Sequence, residues 1–253
     1  MIDKDIEKLR YDNRALKLLS NGSFDKDTGL FSYSLSHPYR APYLRYRDMH
    51  IKFIDNNDNV LEIGAGTGAH TRSLLETGAF VVATDISNNS LQIIKKIYKE
   101  YSDKLSTKVA DMESLPFNNE TFDVVCSAGS LSYGDNQVVM NEINRVLKPN
   151  GIVIIVDSLN ENPLYIINRW IGYYRGTRSL STLRRMPTLK LIKEYGDKFN
   201  IKKLYFFGSL TWLSPILTLF LKKEFVGRIF DSFDTLINVK RSAFKFVVVF
   251  IKK

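Results

Sequence analysis

A glycine-rich turn between an apolar strand and a helix constrains this chain more than any other feature. Residues 60–63 predict a buried strand, and three glycines follow at alternate positions, Gly64, Gly66 and Gly68. A helix pattern begins at Ala69. A strand that leads through a glycine turn into a helix directs backbone N–H groups and a helix N-terminus towards one ligand. We therefore expect an α/β sheet with a binding site at the carboxyl end of this strand.

The spacing of the turn and one acidic residue bear on the nature of the ligand. Dinucleotide folds use Gly-x-Gly-x-x-Gly, whereas here the third glycine comes one position earlier, at Gly68. Glu62 lies two residues before the first glycine, where its carboxylate would repel a pyrophosphate and attract a cationic amino-acid group. This pattern resembles the first motif of class I S-adenosylmethionine (AdoMet) methyltransferases. The resemblance implies that the methionine end of AdoMet is bound by Glu62, Gly64, Ala65, Gly66 and Gly68; the alternative is a tight turn without a ligand.

Two further acidic positions extend the resemblance. Asp85 directly follows the second apolar strand, where a carboxylate can accept hydrogen bonds from both ribose hydroxyls, and Ile86 could pack on adenine. Asp85 alone does not separate AdoMet from NAD. The run that begins with Asp111 and Met112 resembles a later methyltransferase motif. That resemblance implies that Asp111 meets the adenine amino group and that Met112 covers the ring.

The order of elements between residues 60 and 157 completes the match. A fourth strand over 121–127 ends beside Ser127 and Ala128, which we expect on the cofactor side, and a fifth strand spans 151–157. These 100 or so residues resemble the class I methyltransferase domain, in the branch that acts mostly on small molecules. The resemblance implies a Rossmann-like α/β fold, with a seven-stranded, mostly parallel sheet, helices on both faces and an antiparallel last strand.

The remaining chain suggests a division into two parts. Residues 1–50 would form a helix over 1–20 and an irregular aromatic segment over 22–50, which either covers the substrate or packs on the sheet edge. Residues 51–253 would form the methyltransferase domain, with insertions at about 158–200 and at 209–242, the second of them helical. Strands are expected over 201–208 and 243–251.

Composition limits the class of protein. With 253 residues, 44% of them hydrophobic, the chain suits one α/β domain or a domain with a modest lid. Its one cysteine, Cys126, excludes an internal disulfide framework and is compatible with a reducing compartment. The charged start of the sequence and the lack of an apolar run of about 20 residues predict a cytoplasmic protein. The net charge of +9 arises from Lys and Arg residues after position 160.

Methyl transfer requires close alignment of acceptor and methyl group, and a hydroxyl acceptor must also lose a proton. The candidate catalytic residues are His37, Tyr133 and Asp135, with His70 and Asp157 as further possible bases. Each has a structural alternative, such as packing for His37 and helix initiation for Asp135. An acceptor that is already anionic would need no base. The three histidines have no metal-ligand spacing, so no metal site is predicted.

The insertion over 160–186 bears on the acceptor. It contains five arginines among aromatic residues, and arginine suits phosphate and carboxylate groups. A similar run occurs in methyltransferases encoded among bacterial surface-polysaccharide genes. That resemblance implies O-methylation of a sugar or of a phosphorus-containing group such as a phosphoramidate, in an acceptor that could be anionic. Two alternatives stay open: a quinone, lipid or metabolite methyltransferase that contacts the membrane through 209–230, and a non-catalytic AdoMet-binding regulator. Nucleic acid is disfavoured because the fourth strand is not followed by Asn/Asp-Pro-Pro-aromatic.

Overall fold

A central seven-stranded sheet organises the computed structural model, which describes residues 2–21, 37–237 and 239–253. The strands are β1 (Asn59–Ile63), β2 (Phe80–Asp85), β3 (Leu105–Val109), β4 (Phe122–Ala128), β5 (Leu147–Ser158), β6 (Phe199–Phe207) and β7 (Lys245–Lys252). Their order across the sheet is β3-β2-β1-β4-β5-β7-β6. β7 is antiparallel to both of its neighbours, and the other pairs are parallel. The predicted Rossmann-like fold with an antiparallel last strand is confirmed.

Helices cover both faces of this sheet. They are α1 (Ile2–Asn21), α2 (Ala41–Phe53), α3 (Thr71–Leu75), α4 (Asn88–Ile97), α5 (Asn136–Val146), α6 (Pro163–Tyr174), α7 (Leu180–Arg184), α8 (Leu189–Glu194), α9 (Ser214–Phe220) and α10 (Lys223–Leu236). Two buried apolar clusters form, one on each side of the sheet. β7 contributes to both, because Phe246, Val248 and Phe250 face one cluster while Val247 and Val249 face the other. A strand buried on both faces explains the nearly continuous apolar sequence of β7.

The direction of β7 matters for the site. The parallel strands β1, β2, β4 and β5 all end at one edge of the sheet, and β7 begins there because it runs in the opposite direction. Ser158, the last residue of β5, pairs with Lys245, the first residue of β7. A lysine close to the C-terminal end of the sequence is thereby placed at the edge where open α/β sheets bind ligands.

The expectation of irregular structure over 22–50 is wrong for residues 41–50. Residues 22–36 lie outside the described residues, but α2 begins at Ala41 and continues through residue 50, where the sequence suggests a boundary. Proline in its first turn suits a helix start. Its buried residues, Pro42, Tyr46, Met49 and His50, recur every three or four positions. Two of them are polar aromatic residues, so this apolar face is hard to recognise in the sequence.

Helix α1 turns an unexpected face to the protein. The apolar positions that predict the helix include Ile6 and Leu9, whose exposed fractions are 49% and 62%. The inward face instead carries Glu7, Tyr11 and the fully buried Ala15. Helix period alone does not show which face will be buried when the helix covers a polar cavity.

None of the helices in the described part of the chain is long and apolar enough to cross a membrane.

Candidate functional site

The three turn glycines all have positive φ angles, +63° at Gly64, +55° at Gly66 and +88° at Gly68. A Cβ atom on Gly64 would lie 2.5 Å from the Cβ of Ser130, and one on Gly68 would lie 2.9 Å from Cε2 of Tyr98. A Cβ on Gly66 would meet nothing within 4 Å. The first and third glycines are therefore required by packing, whereas Gly66 opens directly on the cavity.

Asp85 joins the end of β2 to this turn. One carboxylate oxygen, Oδ2, accepts a hydrogen bond from the N–H of Gly66 at 2.8 Å, and Oδ1 accepts one from the N–H of Ser87 at 2.8 Å. Burial raises the pKa of Asp85, while these backbone hydrogen bonds act in the opposite direction. Each oxygen retains a lone pair for a ligand hydroxyl. Asp85 therefore shapes the turn and also faces the cavity.

Glu62 is a buried acid at the carboxyl end of β1. Its Oε2 accepts a hydrogen bond from the hydroxyl of Thr71 at 2.6 Å, and only 2% of its surface is exposed. Burial raises its pKa to about 8, an effect that the hydrogen bond from Thr71 opposes and that the charge of Asp85 strengthens. A buried carboxyl that lines a cavity is suited to a cationic group, which would stabilise its charged form.

A narrow cavity of about 120 Å³ lies between α1 and the carboxyl ends of β1, β2 and β4. Predicted cofactor residues that line it are Gly64, Asp85, Ile86, Asp111, Met112 and Ala128. Asp111 is ion-paired with Lys4 of α1 at 2.6 Å, and Lys4 also lies 2.6 Å from a carboxylate oxygen of Glu113. Sequence reasoning missed Lys4, Glu7 and Tyr11 in this wall, because no local motif marks them.

A wider cavity of about 670 Å³ adjoins the narrow one and shares Tyr11, Gly64, Ala128, Gly129 and Tyr133 with it. Glu62, Ala65 and Gly66, which are predicted to bind the cofactor, line it. Its far side is formed by Tyr43, His70, Asp157, Ser158, Arg178, Met186 and Lys245, together with Arg14 and Leu18 of α1. The two cavities form one cleft with an acidic end and a basic end.

Ser127 does not line either cavity, although its neighbour Ala128 lines both. The hydroxyl of Ser127 is fully buried and lies 2.7 Å from the hydroxyl of Ser130. It therefore supports the loop that packs under Gly64. Gly68 is likewise absent from the lining residues of both cavities.

The three candidate catalytic residues lie in different settings. Tyr133 is at the junction of the two cavities, and its hydroxyl accepts a hydrogen bond from the Tyr11 hydroxyl at 2.7 Å. Asp135 caps α5, where Oδ1 accepts hydrogen bonds from the N–H groups of Gln137 and Val138, and it lines neither cavity. His37 begins a short 3₁₀ turn, but its side chain lies outside the described residues.

The two further base candidates both line the wide cavity. The ring of His70 stacks on Tyr43 with centroids 5.1 Å apart, and burial lowers its pKa to about 4. Asp157 is buried and accepts hydrogen bonds from the N–H groups of Leu131 at 3.0 Å and Ser158 at 2.6 Å. Burial raises the pKa of Asp157, while Lys245 opposes this. Asp157 is therefore better matched to accept a proton than an ordinary surface aspartate.

The buried Glu62 should make stability depend on pH. Its folded-state pKa of about 8 exceeds the ordinary value of 4.5, so the folded protein holds a proton that the unfolded chain releases. Its contribution to stability therefore falls as pH rises from about 4.5 to about 8. We expect the Glu62→Gln variant to be more stable than the wild type, by an amount that rises from about 1 kcal/mol at pH 5 to about 4 kcal/mol at pH 8.

Denaturant unfolding of both ligand-free proteins across this pH range measures the difference in their free energies of unfolding. The buried histidines affect both proteins alike, so their effects cancel in this difference. Glu100→Gln, which removes an exposed carboxyl, is the matched control. A constant difference between Glu62→Gln and wild type would contradict a proton held on Glu62.

Comparison with known proteins finds similarity to methyltransferases. Residues 61–155 match the model of a methyltransferase domain family. The sterol 4-C-methyltransferase of Caenorhabditis elegans is 32% identical over 139 residues, which cover 54% of this chain and 41% of that protein. The demethylmenaquinone methyltransferase of Clavibacter sepedonicus is 31% identical over 143 residues, covering 54% of this chain and 56% of that protein. The chain thus spans less than two thirds of either relative.

Among solved structures, geranyl diphosphate C-methyltransferase from Streptomyces coelicolor, in complex with Mg²⁺, geranyl diphosphate and S-adenosylhomocysteine, superposes with a TM-score of 0.68. The match covers 100% of this chain and 98% of that one, at 12% sequence identity. The fold is therefore that of Rossmann-like class I methyltransferases. Within the described residues, no group of three or more His, Cys, Asp or Glu side chains could hold a metal ion.

Proposed function

We propose that this protein is an AdoMet-dependent methyltransferase that acts on a small molecule. The observation that carries this proposal is the cleft itself. Glu62 lines the wide cavity, and Asp85 and Asp111 line the adjoining narrow one. The sequence motifs assign these three residues to the methionine, ribose and adenine portions of AdoMet. The methyltransferase domain match over residues 61–155 covers these three residues.

The residues present fit AdoMet. Gly66 leaves open space where any other residue would place a Cβ, so the backbone can approach the ligand. Glu62 is a buried carboxyl whose ionisation a ligand ammonium group would favour. Asp85 would bind the ribose hydroxyls, and Met112 with Ile86 would pack on adenine. Lys4 already pairs with Asp111, so adenine would share that carboxylate with Lys4.

AdoMet supplies an electrophilic methyl group on a sulfonium, and the protein must align an acceptor atom with it. The acceptor would occupy the wide cavity. Tyr133, held by Tyr11 at the junction, is the candidate to orient an acceptor oxygen. Asp157 is the candidate to take the proton from a hydroxyl acceptor, since burial raises its pKa. The proposed catalytic roles of His37 and Asp135 would require contacts with the acceptor.

For the acceptor, we propose a sugar or a phosphorus-containing group, such as a phosphoramidate, destined for a bacterial surface polysaccharide. Support comes from the insertion whose sequence resembles that group of enzymes. It contributes Arg178 and Met186 to the wall of the wide cavity. The transferred methyl group would form an ether or ester with an oxygen of the acceptor.

Calorimetric titration with S-adenosylhomocysteine tests the cofactor, and a radiolabelled-methyl assay over nucleotide sugars and phosphorylated saccharides tests the reaction. We expect binding with a Kd of about 1–100 μM. Because Glu62 is protonated in the free protein near pH 7, binding of the product's ammonium group should release a proton. Titrations in buffers of different ionisation enthalpy would detect it. A failure to bind S-adenosylhomocysteine would refute the proposal, and binding without methyl transfer to any acceptor would favour a non-catalytic AdoMet-binding regulator.

A second candidate is a quinone, lipid or metabolite methyltransferase that works at a membrane surface. It is favoured by the apolar surface of α9 and the residues beside it. Leu219 and Phe220 are 77% and 81% exposed, and Lys222 and Lys223 follow after Leu221. Apolar side chains beside lysines are typical of helices that lie in the interface of an anionic membrane.

Co-sedimentation with vesicles of phosphatidylglycerol and phosphatidylcholine tests this candidate. If it is correct, the double variant Leu219→Ser/Phe220→Ser should lower the partition coefficient at least about tenfold, because two large apolar side chains leave the bilayer. The control, Leu164→Ser/Ile167→Ser on the exposed face of α6, should have little effect. No binding of the wild type to anionic vesicles would count against the membrane function.

A further inference from the structure

Three cationic side chains from distant parts of the chain line the wide cavity. Arg14 comes from α1, Arg178 from the turn between α6 and α7, and Lys245 from the start of β7. Arg14 and Arg178 also line a small adjoining pocket with Thr177 and Thr182. Their separation in sequence means that only the folded chain creates this cluster.

In the part of the chain that the structure describes, none of the three cations forms an ion pair with a carboxylate. Within residues 2–21, 37–237 and 239–253, no Asp or Glu oxygen lies within 4.0 Å of Arg14, Arg178 or Lys245. Other arginines and lysines of the protein do pair in this way, such as Arg145 with Glu142 at 2.7 Å. Surface cations without partners are ordinary, but three around one cavity require an explanation.

Lys245 is the strongest evidence for a missing anionic partner, because only 9% of its surface is exposed. The Nζ atom of Lys245 lies 3.4 Å from the hydroxyl of Ser158 and 5.1 Å from the centre of the Tyr43 ring. A buried ammonium group is costly unless a counter-charge and hydrogen bonds compensate for lost hydration. Asp157 acts on it at longer range, since Lys245 opposes the rise in the pKa of Asp157. A ligand anion could supply the direct partner that the protein does not.

The cavity has little negative charge to compete with a ligand. Glu62 is mostly protonated near neutral pH, and a cofactor ammonium group would neutralise it when it ionises. Asp157 keeps its negative charge when its oxygens accept backbone N–H groups, but this single charge offsets only one of the three cations. Behind the cluster, burial and then the charge of Arg178 lower the pKa of Arg169 to about 10. The field at this end of the cleft is therefore positive.

Arg178 is held in place by local structure. The N–H of Thr177 donates a hydrogen bond to the carbonyl of Gly172 at 2.9 Å, which folds the turn back over α6. The hydroxyl of Ser179 then caps α7 by accepting from the N–H of Thr182. The backbone on both sides of Arg178 is thus ordered before any ligand arrives, which lowers the entropic cost of binding.

We propose that Arg14, Arg178 and Lys245 form a subsite for an anionic group, a phosphate or carboxylate, on the methyl acceptor. This inference rests on the proposed function, because it places the acceptor beside the cofactor. Lys245 makes the deep contact, Arg178 can bind two oxygens through its planar fork, and Arg14 closes the rim from α1. The subsite selects an acceptor that carries negative charge and holds it by that group, while the methylated atom lies towards Tyr133.

The experiment measures binding of three probes to the full chain saturated with S-adenosylhomocysteine, at constant ionic strength. The probes are inorganic pyrophosphate, D-glucuronate and the neutral sugar D-glucose. We expect at least one anion to bind, and at least tenfold more tightly than glucose. Tight binding of pyrophosphate alone would indicate a phosphate group, and of glucuronate alone a carboxylate.

Single substitutions then test whether the three cations form the anion subsite. Lys245→Met and Arg178→Gln should each weaken binding of the anion at least about tenfold, and Arg14→Gln about threefold or more, because each loses a charge-assisted hydrogen bond. Arg175→Gln, an exposed arginine of the same insertion, is the matched control and should change Kd less than twofold. Arg178→Gln does not disturb a buried residue, so the test holds even if Lys245→Met unfolds.

Two results would overturn the inference: wild-type protein that binds S-adenosylhomocysteine but neither anion, or anion binding that Arg178→Gln and Arg14→Gln leave unchanged. A failure of S-adenosylhomocysteine itself to bind would instead refute the proposed function. The cofactor titration, which comes first, keeps these failures separate. Each variant should retain the cofactor affinity of the wild type within about threefold.

Discussion

Asp85→Ala is expected to weaken binding of S-adenosylhomocysteine by at least ~2 kcal/mol, about thirtyfold in Kd. Two losses combine in this variant. The ribose loses its charge-assisted hydrogen bonds, and the N–H of Gly66 loses the carboxylate oxygen that holds it at 2.8 Å. The turn would then need to be ordered by the ligand itself. Calorimetry on folded protein measures the effect directly.

Asp103→Ala is the matched control, because Asp103 is an exposed loop aspartate away from the cleft. This variant should bind S-adenosylhomocysteine with the affinity of the wild type. The affinity of the Asp85→Asn variant for S-adenosylhomocysteine should lie between those of Asp85→Ala and Asp103→Ala, since its amide oxygen can still accept one hydrogen bond. Unchanged affinity in Asp85→Ala would show that the ribose lies elsewhere.

Gly64→Ala should destabilise the fold by ~2–5 kcal/mol, with strain from a positive φ adding to steric overlap. The new Cβ would lie 2.5 Å from the Cβ of Ser130, an atom that cannot rotate away. Gly66→Ala should cost only about 1–2 kcal/mol of stability, since its Cβ would meet open space, but it should obstruct the ligand. Gly64 is thus expected to matter mainly for folding, and Gly66 mainly for ligand binding.

Denaturant unfolding and cofactor titration of both variants measure this contrast. The double variant Gly64→Ala/Ser130→Gly removes the overlap but not the strained φ, so it should recover part of the lost stability. If Gly64→Ala proved as stable as the wild type, the close packing of the turn against Ser130 would be refuted.

The sheet was predictable because its signals are local. Each strand is a short apolar run bounded by turns, and the glycine turn marks where β1 ends. The candidate cofactor residues were also predictable, because the carboxyl ends of parallel strands meet at one edge of the sheet. Glu62, Asp85 and Asp111 face a common cleft for this reason. Their roles toward AdoMet stay a prediction until a ligand is measured.

The rest of the cleft depends on packing between distant segments, which no local pattern encodes. Tyr11 lies on a helix whose apolar period indicates the opposite face, and Lys245 is the first residue of an otherwise apolar strand. Asp135, an acid near the edge of the site, caps a helix, as the structural alternative to its catalytic role allowed. Residue type and spacing locate candidate groups, but only the tertiary arrangement separates the cleft from its scaffold.

The pairing of β5 with β7 has a consequence for biosynthesis. Ile152 of β5 pairs with Ile251 of β7. This edge of β5 therefore stays unpaired until the ribosome has synthesised nearly a hundred further residues and β7 has emerged. During that interval an apolar strand with free backbone groups is open to other chains, a condition that promotes aggregation. Nascent chains halted before residue 245 should therefore depend on chaperones far more than the complete protein does.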